Sequence, residues 1–222
     1  FGPDPAFRRY AVFHLLTYTG NVGLVLAEEV TAFYACFALM TFAAYGLVVH
    51  TGSPAAQRAG RVYLALAILG EALLLAALFL AVDAAGSWRL ADLGPAVAQA
   101  NSRDAIIMLA LFGFGVKAGL LPLHFWLPLA HPVAPAPASA VLSGAMVKAG
   151  LLGWMHVLPL GHGSFATWGL LLIALGLLAG IYAVICGLPQ SEPKTNLAYS
   201  TLSHLGLITV GVGAGLLAPH HW

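Results

Sequence analysis

The chain has 222 residues, 60% of them hydrophobic and only 8% charged, with a formal net charge of +1 and a mean hydropathy of +0.90. A soluble domain carries about 25% charged residues, so this chain has too few to coat itself for water, and the lack of a basic stripe excludes a nucleic-acid partner. The class that remains is an all-α, polytopic transmembrane helix bundle.

Taken in order, the opening FGPDPAFRRY has no initiator Met and runs straight into an apolar span, which predicts a fragment. Seven stretches approach the length of about 20 apolar residues that a hydrocarbon core ~30 Å thick demands. They are 10–27, 30–50, 62–82, 105–130, 138–158, 166–188 and 197–217. Backbone groups in lipid must pair internally, so each is expected to be a helix. Only Glu28 and Glu29 separate the first two, which predicts a tight antiparallel hairpin. The 83–104 loop mixes Trp88, Leu90 and Leu93 with charges and predicts a short helix lying in the membrane interface.

The fourth span is abnormal. Lys117 is followed by Pro122, the first of a series that includes Pro128, Pro132, Pro135 and Pro137. Pro122 has no amide to donate, and its ring crowds the carbonyl of Ala118, so the helix should kink or break there. Broken helices at membrane depth are tolerated where they line a cavity or are buried in protein. A kink that serves only packing is the alternative.

Loop charges give an orientation. Arg8, Arg9, Arg58, Arg61 and Lys194 fall on one side, Arg89 and Arg103 on the other. The excess places the start of the chain in the cytoplasm and the 83–104 loop outside.

Of the Lys, Arg, Asp and Glu side chains, three remain inside spans: Glu71, Lys117 and Lys148, near the middle of the third span, just before the break, and near the middle of the fifth span. A lysine at mid-membrane depth costs roughly 2.5–3.5 kcal/mol on insertion scales and marks a functional site by default. Burial disfavours the charged form of an amine or a carboxylate, and a nearby opposite charge favours it. A lysine whose carboxylate neighbour comes and goes can therefore bind and release a proton, which is the element a proton relay needs. Ser139, Ser143, Thr201, Ser203 and His204 add polar groups at membrane depth, and His156, two turns beyond Lys148, extends the line. The competing readings are a static buried ion pair for the lysines and ordinary interhelical hydrogen bonding for the rest.

Other constellations are weak. Cys36 and Cys186 lie in apolar runs and read as small buried hydrophobes. His124 and His131 flank the proline segment but, without carboxylates or cysteines, make a poor metal site. GFGVKAG fits neither nucleotide fingerprint, and GVGAG at 211–215 suits close helix packing. His220 and His221 are terminal and read as solvated. No catalytic triad, flavin, haem or iron–sulfur signature is present, so the chain is expected to hold no cofactor, no metal and no redox centre of its own.

VKAGLLPLHFWLP followed by AHPVAPAPASAVLSGAMVKAG, with NLAYSTLSHLGLI at 196–208 and ALMTFAAYGLVVH at 38–50, resembles the proton-conducting, antiporter-like membrane subunits. That family includes the large pumping subunits of respiratory complex I, Mrp-type cation/proton antiporters and the membrane arm of formate-hydrogenlyase-type hydrogenases. The resemblance covers essentially the whole chain. It implies one antiporter-like domain over 1–222, with a first five-helix repeat at about 10–158 and the start of an inverted second repeat at about 166–217. Family members have about fourteen spans, so it also implies that roughly half is missing. Lys117 takes the place of the lysine on the family's broken helix, Lys148 that of the central lysine of the next helix, and Ser143 a position where some relatives carry histidine. Two departures stand out. The family usually has a glutamate where this chain has Ala38, and the acid of its LPDAHP motif is Leu129 here. Glu71 then stands in for the lost partner of Lys117.

The function expected on this basis is proton translocation, with exchange for Na⁺ or K⁺ as a variant, by a subunit joined to other membrane subunits of a respiratory or hydrogenase-type complex in a bacterial inner membrane. The alternative is a non-conducting scaffold that docks a dehydrogenase, hydrogenase or inorganic-carbon-uptake partner. Ala38 favours the second reading and the retained lysines the first.

Overall fold

The computed structural model describes residues 4–218, so His220 and His221 lie outside the described residues. Among the described residues the fold is helical throughout, with one isolated backbone bridge, Glu29–Arg89, in place of any strand. Helix α1 (Pro5–Leu26) starts with Pro5 in its first turn and with Asp4 accepting the Ala6 amide at 2.9 Å. Helix α2 (Val30–Val48) turns back against it. The hairpin is tight because Gly20 faces Cys36 and Met40, where a methyl would stand 2.7 Å from backbone atoms. Helix α3 (Pro54–Ala85) is 32 residues long, capped by Ser53 at its start and by left-handed Gly86 at its end.

Helix α4 (Leu90–Gln99) occupies the 83–104 loop. Its apolar side chains turn to protein rather than to lipid. Leu90, Leu93 and Val97 are buried, and the helix docks on α3 and on α8 (Val147–Val157). Its apolar residues recur at helical spacing, and the end of the bundle offers that stripe a protein surface to cover. Trp88 alone stays exposed, edge-on to Phe79. The amide of Val30 donates to the Trp88 carbonyl and the amide of Leu90 to that of Glu28, both at 2.9 Å, which ties the first hairpin turn to this loop.

Helix α5 (Arg103–Ala118) is the centre of the bundle, packed on α3 along one side and on α8 along the other. Glycine makes both approaches possible. A Cβ on Gly113 would stand 2.7 Å from the Leu74 amide, and one on Gly150 would stand 2.6 Å from the Phe114 carbonyl. After the break come a 3₁₀ turn (Leu123–Phe125) and α6 (Trp126–Val133). Next, α7 (Ala136–Val141) passes through a π-helical segment (Leu142–Met146) into α8. Helices α9 (Ala166–Gly187) and α10 (Pro193–Leu217) form an antiparallel pair that meets the rest of the bundle mainly at α6. In that pair Gly213 faces Gly169 and Gly206 faces Gly176, whereas Gly211 faces open space, so only part of the GVGAG run serves the packing.

Among the described residues, six segments are long and apolar enough to cross a membrane: Val30–Val48, Pro54–Ala85, Arg103–Val133, Ala136–Val157, Ala166–Gly187 and Pro193–Leu217. Helix α1, with 22 residues, has the length of a seventh but carries Arg8, Arg9, His14, Thr17 and Asn21. Leu15 and Val25 on α1, and Leu178, Ile181 and Ile185 on α9, are exposed large hydrophobics that suit contact with lipid.

Candidate functional site

The break is sharper than a kink. Helix α5 stops at Ala118, and Gly119 takes the left-handed conformation at φ 71°, which glycine accepts without strain. The Leu121–Pro122 bond is cis. Ending a helix inside a membrane-spanning segment strands carbonyls, and here they are answered locally. Leu120 N–H donates to the Gly115 carbonyl at 2.8 Å, and the Trp126 indole N–H donates to the Val116 carbonyl at 2.7 Å. Both satisfy groups that lipid cannot.

Lys117 therefore occupies the last turn of a helix, where the macrodipole favours a cation. It is 4% exposed. Its ammonium donates to the Tyr63 hydroxyl at 3.3 Å and lies 5.4 Å and 5.7 Å from the ring centroids of Tyr63 and Phe37. Tyr63 is held in turn. Its hydroxyl donates to the Thr41 carbonyl at 2.7 Å, and its ring meets Trp126 edge-on at 5.3 Å. The cation thus sits in an aromatic box built from α2, α3, α5 and α6.

Glu71 on α3 is 5% exposed, and neither carboxylate oxygen has a hydrogen-bond partner. Lys117 and Thr41 are its electrostatic neighbours, yet no Lys117–Glu71 ion pair within 4.0 Å forms. An acid and a base are buried within reach of each other's field but not in contact. Each would gain from closing the gap, since an unpaired buried charge is costly.

A second polar cluster lies on the next span. Lys148 donates to the Ser143 carbonyl across the π segment, whose widened turn leaves backbone acceptors poorly engaged. The Ser143 hydroxyl lies 3.2 Å from His131 Nε2, and His131 Nδ1 lies 2.6 Å from the Ser139 hydroxyl. Lys148 itself is exposed, facing a groove of about 410 Å³ between α1 and α8 that Tyr18, Asn21 and Leu152 help to line. The two clusters do not touch. Tyr63 reaches Met146 Sδ at 3.9 Å, and no polar contact continues from there to Lys148. A proton passing between them needs water.

Two expected members fall outside both clusters. His156 is half-buried, edge-on to Phe33 at 5.8 Å between ring centroids. His204 is exposed on α10, away from both lysines. Conversely, sequence reasoning passed over Tyr63 and treated His131 only as a poor metal ligand. Tyr63 lies eight residues before Glu71 on one helix, about two turns, so reading that face as a unit would have found it. His131 carried no such signal. Among the described residues no group of three or more His, Cys, Asp or Glu side chains converges as a metal site would require.

Residues 27–219 match the profile of a family described as "NADH:quinone oxidoreductase/Mrp antiporter, TM". Hydrogenase-4 component B of Escherichia coli K12 is 34% identical over 199 residues, covering 88% of this chain and 30% of that protein. NAD(P)H-quinone oxidoreductase chain 4 2 of Thermosynechococcus vestitus is 33% identical over 217 residues, covering 93% of this chain and 39% of that protein. A chain of the membrane-bound sulfane sulfur reductase, an archaeal respiratory membrane complex, superposes with a TM-score of 0.82 at 27% identity, over 92% of this chain and 43% of its own. The chain spans less than half the length of each of these proteins.

Proposed function

This chain belongs to the NADH:quinone oxidoreductase/Mrp antiporter transmembrane family, and from that premise we propose that it conducts protons as one membrane subunit of a multi-subunit complex. Lys117 is the switching group. Glu71 is its movable partner, in the role the family's glutamate would fill at Ala38. Lys148, with Ser143, His131 and Ser139, receives the proton through water. The carboxylates and amines do all the chemistry, and exchange for Na⁺ or K⁺ is a variant of the same cycle. The excess of arginine and lysine on one side supports a cytoplasmic start for the described chain and an inner-membrane setting.

One observation carries this reading: a buried carboxylate, with Thr41 beside it and no ion-pair partner, lies in the field of a buried ammonium held by a tyrosine. A four-carbon side chain can swing from the hydroxyl to the carboxylate. In the paired position the charge stays on lysine, and in the unpaired position a proton can leave it. The alternation makes a gate out of two side chains.

The scaffold reading has its own support in Ala38 and in the gap between the two clusters. Proton flux through the assembled complex in proteoliposomes separates the two. Positioned proton donors contribute roughly 10²–10⁴-fold, so Lys117→Ala, Glu71→Gln and Lys148→Ala are each expected to cut flux at least about tenfold. Wild-type flux in all three, with the complex intact, would leave the scaffold.

A further inference from the structure

Thr41 is wholly buried and meets both the acid and the base. Its carbonyl accepts from the Tyr63 hydroxyl at 2.7 Å, and that hydroxyl in turn accepts from Lys117. Its side chain stands beside Glu71, without the geometry of a hydrogen bond to either carboxylate oxygen. The base is thus anchored through the backbone of this residue, and the acid is left next to its hydroxyl. Ala38, about one turn earlier on α2, has only a methyl group and competes for neither.

The Thr41 hydroxyl is engaged elsewhere, donating to the Phe37 carbonyl at 2.8 Å. Thr17, Thr201 and Thr209 donate to the carbonyl four residues back in the same way, so the bond itself is ordinary for a helical threonine. What sets Thr41 apart is the second acceptor beside it. A hydroxyl has one hydrogen to give, and it turns to suit its acceptor. The Phe37 carbonyl keeps its place in the helix ladder if that hydrogen leaves. An ionised carboxylate gains a charge-assisted bond, roughly twice as strong as a neutral one. The backbones have no comparable freedom. A Cβ on Gly70 would stand 3.0 Å from Val116 Cβ, and one on Gly113 would stand 2.7 Å from the Leu74 amide, so α3 and α5 are already in contact at the level of Glu71. A change of state here is a rotation of side chains.

We propose that Thr41 is the positioning residue of this acid–base pair, its hydroxyl turning from the Phe37 carbonyl to the Glu71 carboxylate when that group is ionised and returning when it is neutral or paired with Lys117. This rests on the proton-conducting reading. The groups that face Glu71 are Tyr34 and Thr41 from α2, Tyr63 from its own helix and Lys117 from α5. Tyr63 is committed to the Thr41 carbonyl, and Tyr34 is half-buried, lining an apolar pocket with Leu75 and Trp88. Thr41 therefore gives the carboxylate a partner during the interval in which Lys117 is still held by Tyr63.

The test needs no proton flux. Infrared difference spectra of the intact complex between acid and alkaline pH are expected to contain a carboxyl and a carboxylate band from Glu71, identified by their loss in Glu71→Gln. Thr41→Val removes the hydroxyl and keeps the carbonyl, the helix and nearly the volume. It is expected to shift the carboxylate band and leave the carboxyl band in place, whereas Thr41→Ser matches the wild type in both. In parallel, proton flux is expected to fall at least about threefold in Thr41→Val, as the loss of one hydrogen bond to a charged group implies, and to recover in Thr41→Ser. A carboxylate band unmoved by Thr41→Val, both bands moved together, a shift that Thr41→Ser shares, or an equal shift in Tyr34→Phe overturns the proposal. So does wild-type flux in Thr41→Val, or the absence of any band from Glu71. The expected bands in a wild-type complex without proton flux would sink the conducting reading while supporting the role of Thr41.

Discussion

At the residue scale, the box around Lys117 works because its parts do different jobs. Phe37 and Tyr63 offer ring faces to a cation that has lost its water. The Tyr63 hydroxyl accepts from the ammonium and donates its own hydrogen bond to the Thr41 carbonyl, so the whole chain of bonds has a direction. Tyr63→Phe keeps the ring, the Trp126 contact and the volume, and removes only the hydroxyl. The loss of one such buried hydrogen bond is expected to destabilise the protein by about 1 kcal/mol, measurable as a lower melting temperature in detergent. Flux is expected to fall by more than that loss of stability explains, because Lys117 loses its resting position opposite Glu71. Unaltered flux in a folded Tyr63→Phe protein would show that the carboxylate alone sets the position of the amine. None of this pairing was legible in sequence. Lys117 and Tyr63 are 54 residues apart, and only folding brings a tyrosine of α3 to the end of α5. Glu71, Lys117 and Lys148 could be singled out because a charge in an apolar run is anomalous on its own, without knowledge of its neighbours.

At the element scale, what could be read was what depends on local chemistry. Pro122 announces the break through its missing amide and its ring, and Gly119 completes it. The π segment gave no such signal, because LSGAM is compatible with an ordinary helix and only the packed surroundings select the wider turn. The surface that α4 covers was illegible for a related reason. An amphipathic decapeptide fits a membrane surface and a protein surface equally well, and which one it meets is a tertiary fact. The glycine that α8 turns to the central helix gives this scale its prediction. Gly150 has no room for a side chain, since its added Cβ would stand 2.6 Å from the Phe114 carbonyl and 2.8 Å from the Ala118 amide. Gly150→Leu forces α5 and α8 apart and is expected to cost about 1–3 kcal/mol or more, seen as loss of the folded fraction in detergent. Gly211→Leu, at a glycine facing open space, is the matched control and is expected to fold normally. Equal stability of the two variants would mean that the α5–α8 contact is looser than described.

At the scale of the whole molecule, the composition alone fixed the class. With 8% charged residues the chain has no other solvent than lipid, and the spans follow from hydropathy and length. Sidedness is the next property of the whole. The backbone pairing of the first hairpin turn with the 88–90 segment puts Glu28, Glu29 and Arg89 at one end of the bundle. In the orientation proposed from the charge excess, that end lies outside. In cells, a cysteine introduced at Ala100 is expected to react with a membrane-impermeant maleimide from outside, and one at Thr51 only after the membrane is opened. The reverse pattern would invert the orientation.

Across the three scales, the proposed gate is a deep amine that alternates between a tyrosine hydroxyl and a deep carboxylate it does not touch at rest, at a broken helix through which water would enter. The most direct measurement is infrared difference spectroscopy of the assembled complex, comparing the resting state with a state driven by its electron donor or by an imposed proton gradient. The expected result is a band from a buried carboxyl group that is present in the wild type, absent in Glu71→Gln and altered in Lys117→Ala. The same carboxyl band, unchanged in both variants, would contradict the account.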